Sequence, residues 1–211
     1  METRQVILIH GLWLRGFTLG PLGRRLRAAG LEPHTVDYAS VRHGPERAAE
    51  RVAERVARRL ADADAPVHLV GHSLGGLVAL KALSLSGPGQ VGRVVCLGTP
   101  LAGSAAARGL LRWRLGGALL GRARPFLEHG VGSVAGHVAV GMVAGTRALG
   151  LGRFFGAGPG PSDGTVAVAE TRVPGLAGHV EVHTSHTGLL FSAEAARHVA
   201  AFLQTGRFAA G

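Results

Sequence analysis

Apolar positions along this chain follow two rhythms. Short, largely apolar runs occupy residues 6–9, 67–70 and 91–97, each bounded by polar residues or glycine. Runs of that length predict strands buried on both faces. Residues 33–38, 138–146 and 180–184 read as three further strands. Between them the period lengthens to that of a helix. Ala49, Val52, Ala53, Val56, Ala57 and Leu60 recur at i, i+3, i+4, i+7 behind Pro45, which suits a first helical turn. The opposite face alternates glutamate and arginine, with Glu54 and Arg58 at a favourable i,i+4 spacing, and reads as a solvated surface. Helices are also predicted over 19–29, over 77–85 with Lys81 as its only charge, and over 192–203. Strand and helix alternate throughout, which predicts an α/β fold with about six mostly parallel strands and helices on both faces. Neither repeats nor a domain boundary are visible, so residues 1–211 read as one domain.

The segment 101–136 is the least regular. Leu110, Leu111, Trp113, Leu115, Leu119 and Leu120 are interleaved with Arg108, Arg112, Arg114 and Arg122. Three readings fit: an amphipathic helix covering the sheet, a lid walling a pocket, or a basic helix lying on a membrane surface. Gly116-Gly117 interrupts the periodicity and keeps all three open.

Charge narrows the classes. The net charge is +10, and Lys81 is the sole lysine. The arginines are scattered, the chain has one tyrosine and two tryptophans, and no nucleic-acid reader motif is present. This argues against nucleic acid and leaves a weak association with anionic membrane surfaces. Cys96, the only cysteine, lies in an apolar run and reads as an inert buried residue. No signal peptide or spanning segment is recognisable, which predicts a cytoplasmic location. Oligomeric state has no signature here.

The chemistry concentrates at Gly71-His72-Ser73-Leu74-Gly75, between a predicted strand and a predicted helix. A serine at such a turn takes a strained backbone, and the flanking glycines remove Cβ atoms that would clash. The hydroxyl is lifted off the sheet towards a helix N-terminus, the geometry of a nucleophile elbow. The pentapeptide itself is weak, since glycine supplies 34 of 211 residues. A second match, Gly160-Pro161-Ser162-Asp163-Gly164, follows a Gly/Pro run and reads as a turn. Context selects Ser73.

A serine nucleophile needs a histidine base, an acid to orient it, and donors for the oxyanion. In this fold they follow in the order Ser, acid, His. Glu128, Asp163, Glu170 and Glu181 are the acids between residues 73 and 186. Glu128 lies in the irregular segment, Glu170 in a helical run and Glu181 on the final strand. Asp163 alone occupies a glycine-flanked loop after a strand. Among the later histidines, His179 precedes the final strand, His183 lies on it, and His198 sits in the last helix. His186 follows the strand in Thr184-Ser185-His186-Thr187-Gly188, with His183 as the alternative base. A metal site built on His179, His183 and His186 lacks a carboxylate or cysteine at standard spacing. The expected oxyanion donors are the N–H groups of Leu12, after the first strand, and Leu74. His10, Gly11, Trp13, Phe17 and His72 are the expected pocket residues, with His10 supporting its loop.

These residues resemble an α/β-hydrolase, most closely the small bacterial lipases and esterases. The matching motifs are His10-Gly11-Leu12, Gly71-His72-Ser73-Leu74-Gly75-Gly76, Gly98-Thr99-Pro100-Leu101-Ala102-Gly103-Ser104, Asp163-Gly164-Thr165-Val166 and His186-Thr187-Gly188-Leu189-Leu190. The last is similar to the end of minimal bacterial lipases. The resemblance implies a Ser73–Asp163–His186 triad and a six-stranded core that begins at the family's third strand. It departs from secreted lipases in lacking their export signal. The expected activity is hydrolysis of a small-molecule or lipid ester through an acyl-enzyme, without metal or organic cofactor. Activity should rise through about pH 6–7, where histidine loses its charge. The same parts serve thioester or amide cleavage and acyl transfer, and the basic segment also suits a non-catalytic membrane-surface adaptor.

Overall fold

The computed structural model describes residues 4–63, 65–134, 136–149 and 160–210. Strands β1 (Gln5–Ile9), β2 (Glu32–Val36), β3 (Val67–His72), β4 (Val91–Leu97), β5 (Ala139–Gly145) and β6 (Gly178–Val182) form one sheet. Their order is β2-β1-β3-β4-β5-β6, with every neighbouring pair parallel. The chain runs from β1 out to β2 and returns to place β3 on the other side of β1. The loops after β1 and β3 therefore diverge, and a crevice opens at the carboxyl ends of these strands.

Side chains alternate across the sheet with period two, so consecutive apolar residues feed two cores. Ile7, Ile9, Leu69, Val94 and Cys96 pack beneath α2 (Gly44–Ala63) and α3 (Leu74–Leu85). Val6, Leu8, Val70, Val95 and Leu97 pack against α1 (Gly20–Ala28) and α7 (Ala193–Thr205) on the opposite face. Each fully buried aliphatic side chain contributes roughly 1.5–3 kcal/mol. Helix α2 buries Ala49, Val52 and Val56 and leaves its Glu–Arg face in water. Helix α3 is apolar nearly all round, because α2, β1, β3 and β4 surround it.

Several boundaries differ from the sequence reading. Helix α3 starts at Leu74, directly after Ser73, instead of at residue 77. Strand β6 ends at Val182, so His179 lies on it and His183 just beyond, the reverse of the expected placement. The segment 101–136, in which residue 135 lies outside the described residues, is not one helix. It forms three short α-helices, α4 (Ala105–Leu110), α5 (Gly116–Leu120) and α6 (Arg124–His129), with a 3₁₀ turn over Gly121–Ala123 between the last two. The break falls where Gly116 presses against the Leu110 carbonyl, a contact with no room for a Cβ. Ser104 caps α4 by accepting from the Ala107 N–H at 3.1 Å. Glu170 holds the same end, accepting from the Ala105 N–H at 2.5 Å and from the Ala167 N–H at 2.8 Å. Among the described residues, no helix is long and apolar enough to cross a membrane.

Candidate active site

Ser73 occupies the link between β3 and α3 with φ 54° and ψ −124°, a strained conformation for a residue with a Cβ. Three hydrogen bonds hold it. Its N–H donates to the Leu97 carbonyl at 2.8 Å, and its own carbonyl accepts from Thr99 Oγ1 at 3.0 Å and from the Gly76 N–H at 3.0 Å. A Cβ at Gly71 would run into the Gly75 backbone, and one at Gly75 into the Ile9 carbonyl. The flanking glycines thus let helix and strand approach closely enough to make the turn. Among the described residues the Ser73 hydroxyl has no hydrogen-bond partner, so its rotor is free to be aimed.

Asp163 and His186 leave the sheet after β5 and β6. His186 Nδ1–H donates to Asp163 Oδ2 at 2.6 Å, and the other carboxylate oxygen accepts from the Thr165 and Val166 N–H groups at 2.9 and 2.7 Å. The His186 N–H also donates to the Asp163 carbonyl at 2.9 Å. Asp163 is buried, and its carboxylate is fixed in place by these donors. This arrangement selects the Nδ1–H tautomer of His186 and leaves Nε2 to accept a proton. Gly98, at φ 54°, backs the pair: a Cβ there would lie 3.0 Å from Asp163 Oδ2 and 3.1 Å from His186 Nδ1.

His72 supports the same histidine. Its Nε2–H donates to the His186 carbonyl at 3.0 Å, and the two rings lie 4.7 Å apart. Burial, with His186 nearby, pushes its pKa down to about 3, so it stays neutral and acts as a donor. Ser73, His72 and His186 all line a cavity of about 730 Å³. Most of its wall is apolar, including Leu12, Pro100, Ala107, Leu110 and Leu127, and among the described residues no Asp, Glu, Lys or Arg faces it. Among the described residues, nothing accepts from the N–H of Leu12 or of Leu74, which leaves both donors free for a ligand.

Of the expected pocket residues, Gly11, Trp13 and His72 line this cavity. Phe17 does not. It is 83% exposed, because the 3₁₀ turn Gly16–Leu19 buries its two ends and turns Phe17 outward. His10 does not line it either. It is fully buried, stacks on Tyr38 at 4.3 Å, and lies 3.0 Å from Asp37 Oδ1 and 2.9 Å from the Gly11 carbonyl. Burial disfavours the Asp37 charge, but the Gly16 N–H, Arg15 and His10 outweigh it and hold the carboxyl below the ordinary range. Ser162 of the second pentapeptide is consumed by its turn, donating to the Val166 carbonyl and accepting from the Gly164 N–H. The three histidines considered for a metal have separate contacts: His179 with Thr171, His183 with Thr146, and His186 with Asp163. Burial pushes the Cys96 thiol up to about 12, which keeps it protonated and unreactive at neutral pH. In the sequence Thr99, Gly98 and Asp37 have no role at the site, and Glu170 reads only as a residue of a helical run. Only the Gly98-Thr99-Pro100 turn, which closes an apolar strand, hinted at any of them.

A parallel sheet that presents a strained serine, a carboxylate–histidine pair and unused backbone donors at its carboxyl edge defines a hydrolase-type fold. The chain belongs to the alpha/beta hydrolase family, whose model matches residues 6–209. No curated protein matches its sequence. The propeptide form of the lipase BlEst2 from Bacillus licheniformis superposes with a TM-score of 0.79 at 18% identity, over 99% of this chain and 52% of that one. The chain thus spans about half the length of that relative. The mature form of BlEst2 gives a TM-score of 0.74 at 20% identity, over 95% of this chain and 91% of that one. The metagenomic carboxyl esterase MGS0156 gives 0.62 at 21% identity, over 86% and 64%. At these identities the likeness is one of fold.

Proposed function

We propose that this protein is a serine hydrolase of carboxylic esters that works through an acyl-enzyme. The observation that carries the reading is the hydrogen-bonded Asp163–His186 pair, whose histidine lines the same apolar cavity as a conformationally strained serine. The fold neighbours named as a lipase and a carboxyl esterase support it. Ser73 Oγ attacks the ester carbonyl while His186 Nε2 takes its proton. Asp163 stabilises the resulting imidazolium, and the Leu12 and Leu74 N–H groups hold the oxyanion. The C–O bond to the alcohol breaks as His186 returns the proton to the leaving oxygen. Water, activated by the same histidine, then releases the acid and restores Ser73. Excluding water from the apolar cavity strengthens each of these interactions. The segment from α4 to α6 walls the cavity, so one catalytic unit both performs the chemistry and shapes the acyl site.

The test is turnover of a p-nitrophenyl ester series, acetate through palmitate, by wild type and Ser73→Ala, with fluorophosphonate labelling in parallel. Ser73→Ala should lower kcat/KM at least ~1,000-fold and lose the label. Turnover that survives the substitution would move the nucleophile elsewhere. Labelling of Ser73 without ester turnover would redirect the chemistry to thioesters or acyl transfer.

A further inference from the structure

The segment that walls the cavity also carries exposed apolar and exposed basic side chains. Trp13 is 59% exposed although it lines the cavity, and its indole N–H donates to the Leu119 carbonyl at 3.0 Å. The loop after β1 and helix α5 therefore form one continuous rim. Trp113 and Leu115, 62% and 72% exposed, stand in the tight turn that leads into α5. Residues 105–129 carry five arginines and one acid, Glu128. Glu128 pairs with Arg124 at 2.9 Å, and its carbonyl accepts from Arg108. Arg112, Arg114 and Arg122 are exposed and make no ion pair among the described residues.

We propose that this rim, built from the α4–α6 segment and Trp13, docks on an anionic lipid bilayer. Indole and leucine side chains gain by entering the headgroup–acyl boundary, and the guanidinium groups gain from the lipid phosphates above it. A second copy of the chain would bring a like charge of +10 against this face, and nucleic acid would leave the tryptophans and leucines in water. Only an anionic bilayer satisfies both halves of the surface. Docking in this orientation turns the cavity mouth towards the lipid. An acyl chain then passes from bilayer to Ser73 along apolar walls; this last consequence rests on the ester-hydrolase reading, whereas docking itself does not.

The experiment is sedimentation of full-length Ser73→Ala protein with vesicles of phosphatidylcholine alone or mixed with phosphatidylglycerol, so that binding is read apart from turnover. Strong, salt-sensitive binding to the anionic vesicles is expected. The combined substitution Arg112→Ser, Arg114→Ser and Arg122→Ser should weaken it on the order of 100-fold, and Trp113→Ser with Leu115→Ser at least ~10-fold. In the Ser73 background both variants should hydrolyse a soluble acetate ester within about twofold of wild type, which shows that they are folded. Equal binding by all forms, equal binding to neutral vesicles, or no binding would overturn the proposal. So would displacement from vesicles by DNA at equal charge, or a dimer abolished by the Trp113 and Leu115 substitutions.

Discussion

At the scale of single residues, the site depends on side chains that are missing as much as on those present. Gly98 reaches the Asp163–His186 pair from behind, and its φ of 54° belongs to the left-handed region. Alanine there meets two penalties: backbone strain of about 1–3 kcal/mol and contact with both partners of the pair. Gly98→Ala should therefore lower kcat/KM on the order of 100-fold through misplacement of His186, while the protein still unfolds cooperatively in urea. Unchanged ester turnover by this variant would show that the pair does not need its present geometry. The strand–turn–helix setting of Ser73 and the pairing of Asp163 with His186 were legible in the sequence, because the proposed roles confine residue types to short motifs in a fixed order. The expectation that His10 and Phe17 line the pocket fails for another reason. Proximity to a glycine turn in the chain does not reveal which way a side chain leaves it, and that depends on Asp37, Tyr38 and a 3₁₀ turn.

At the scale of elements, the strands and the long helices were readable because burial imposes a period that local sequence records. The 101–136 segment was not, since its helices end through a contact between Gly116 and the Leu110 carbonyl that no local pattern encodes. Its helical setting argues against Glu170 as a triad acid, and its contacts give it a mechanical task. Its carboxylate joins the start of α4 to the turn that follows Asp163. Removing it strands two backbone donors, one at each element, at a cost of about 1–3 kcal/mol each. Glu170→Ala should thus shift the urea midpoint clearly downward, with Glu170→Gln intermediate. An unshifted midpoint would mean that water replaces the carboxylate without loss.

At the scale of the whole molecule, the buried histidines predict how stability responds to acid. Burial lowers the pKa of His72 to about 3, and likewise depresses His34, His179 and His198. Each such group binds a proton more readily when unfolded, so its stabilising contribution is complete above pH 6.5 and is lost as pH falls below it. For His72 that loss continues to about pH 3, with a slope of roughly 1.4 kcal/mol per pH unit. Urea denaturation from pH 7 down to pH 4 should follow this trend, and His72→Gln should flatten it while keeping a donor to the His186 carbonyl. A slope unaltered in the variant would remove His72 from the acid response.

The two tryptophans have a bearing on how such unfolding is observed. Trp13 and Trp113 both lie in the rim and are more than half exposed, while the sheet holds no indole at all. Intrinsic emission is therefore a local optical gauge of the cavity mouth. It should begin red and change little when the strands melt, yet move to the blue when a bilayer or a long acyl chain displaces water from the rim. The protein thus carries its own unlabelled reporter of occupancy, and loss of the sheet has to be followed by backbone circular dichroism.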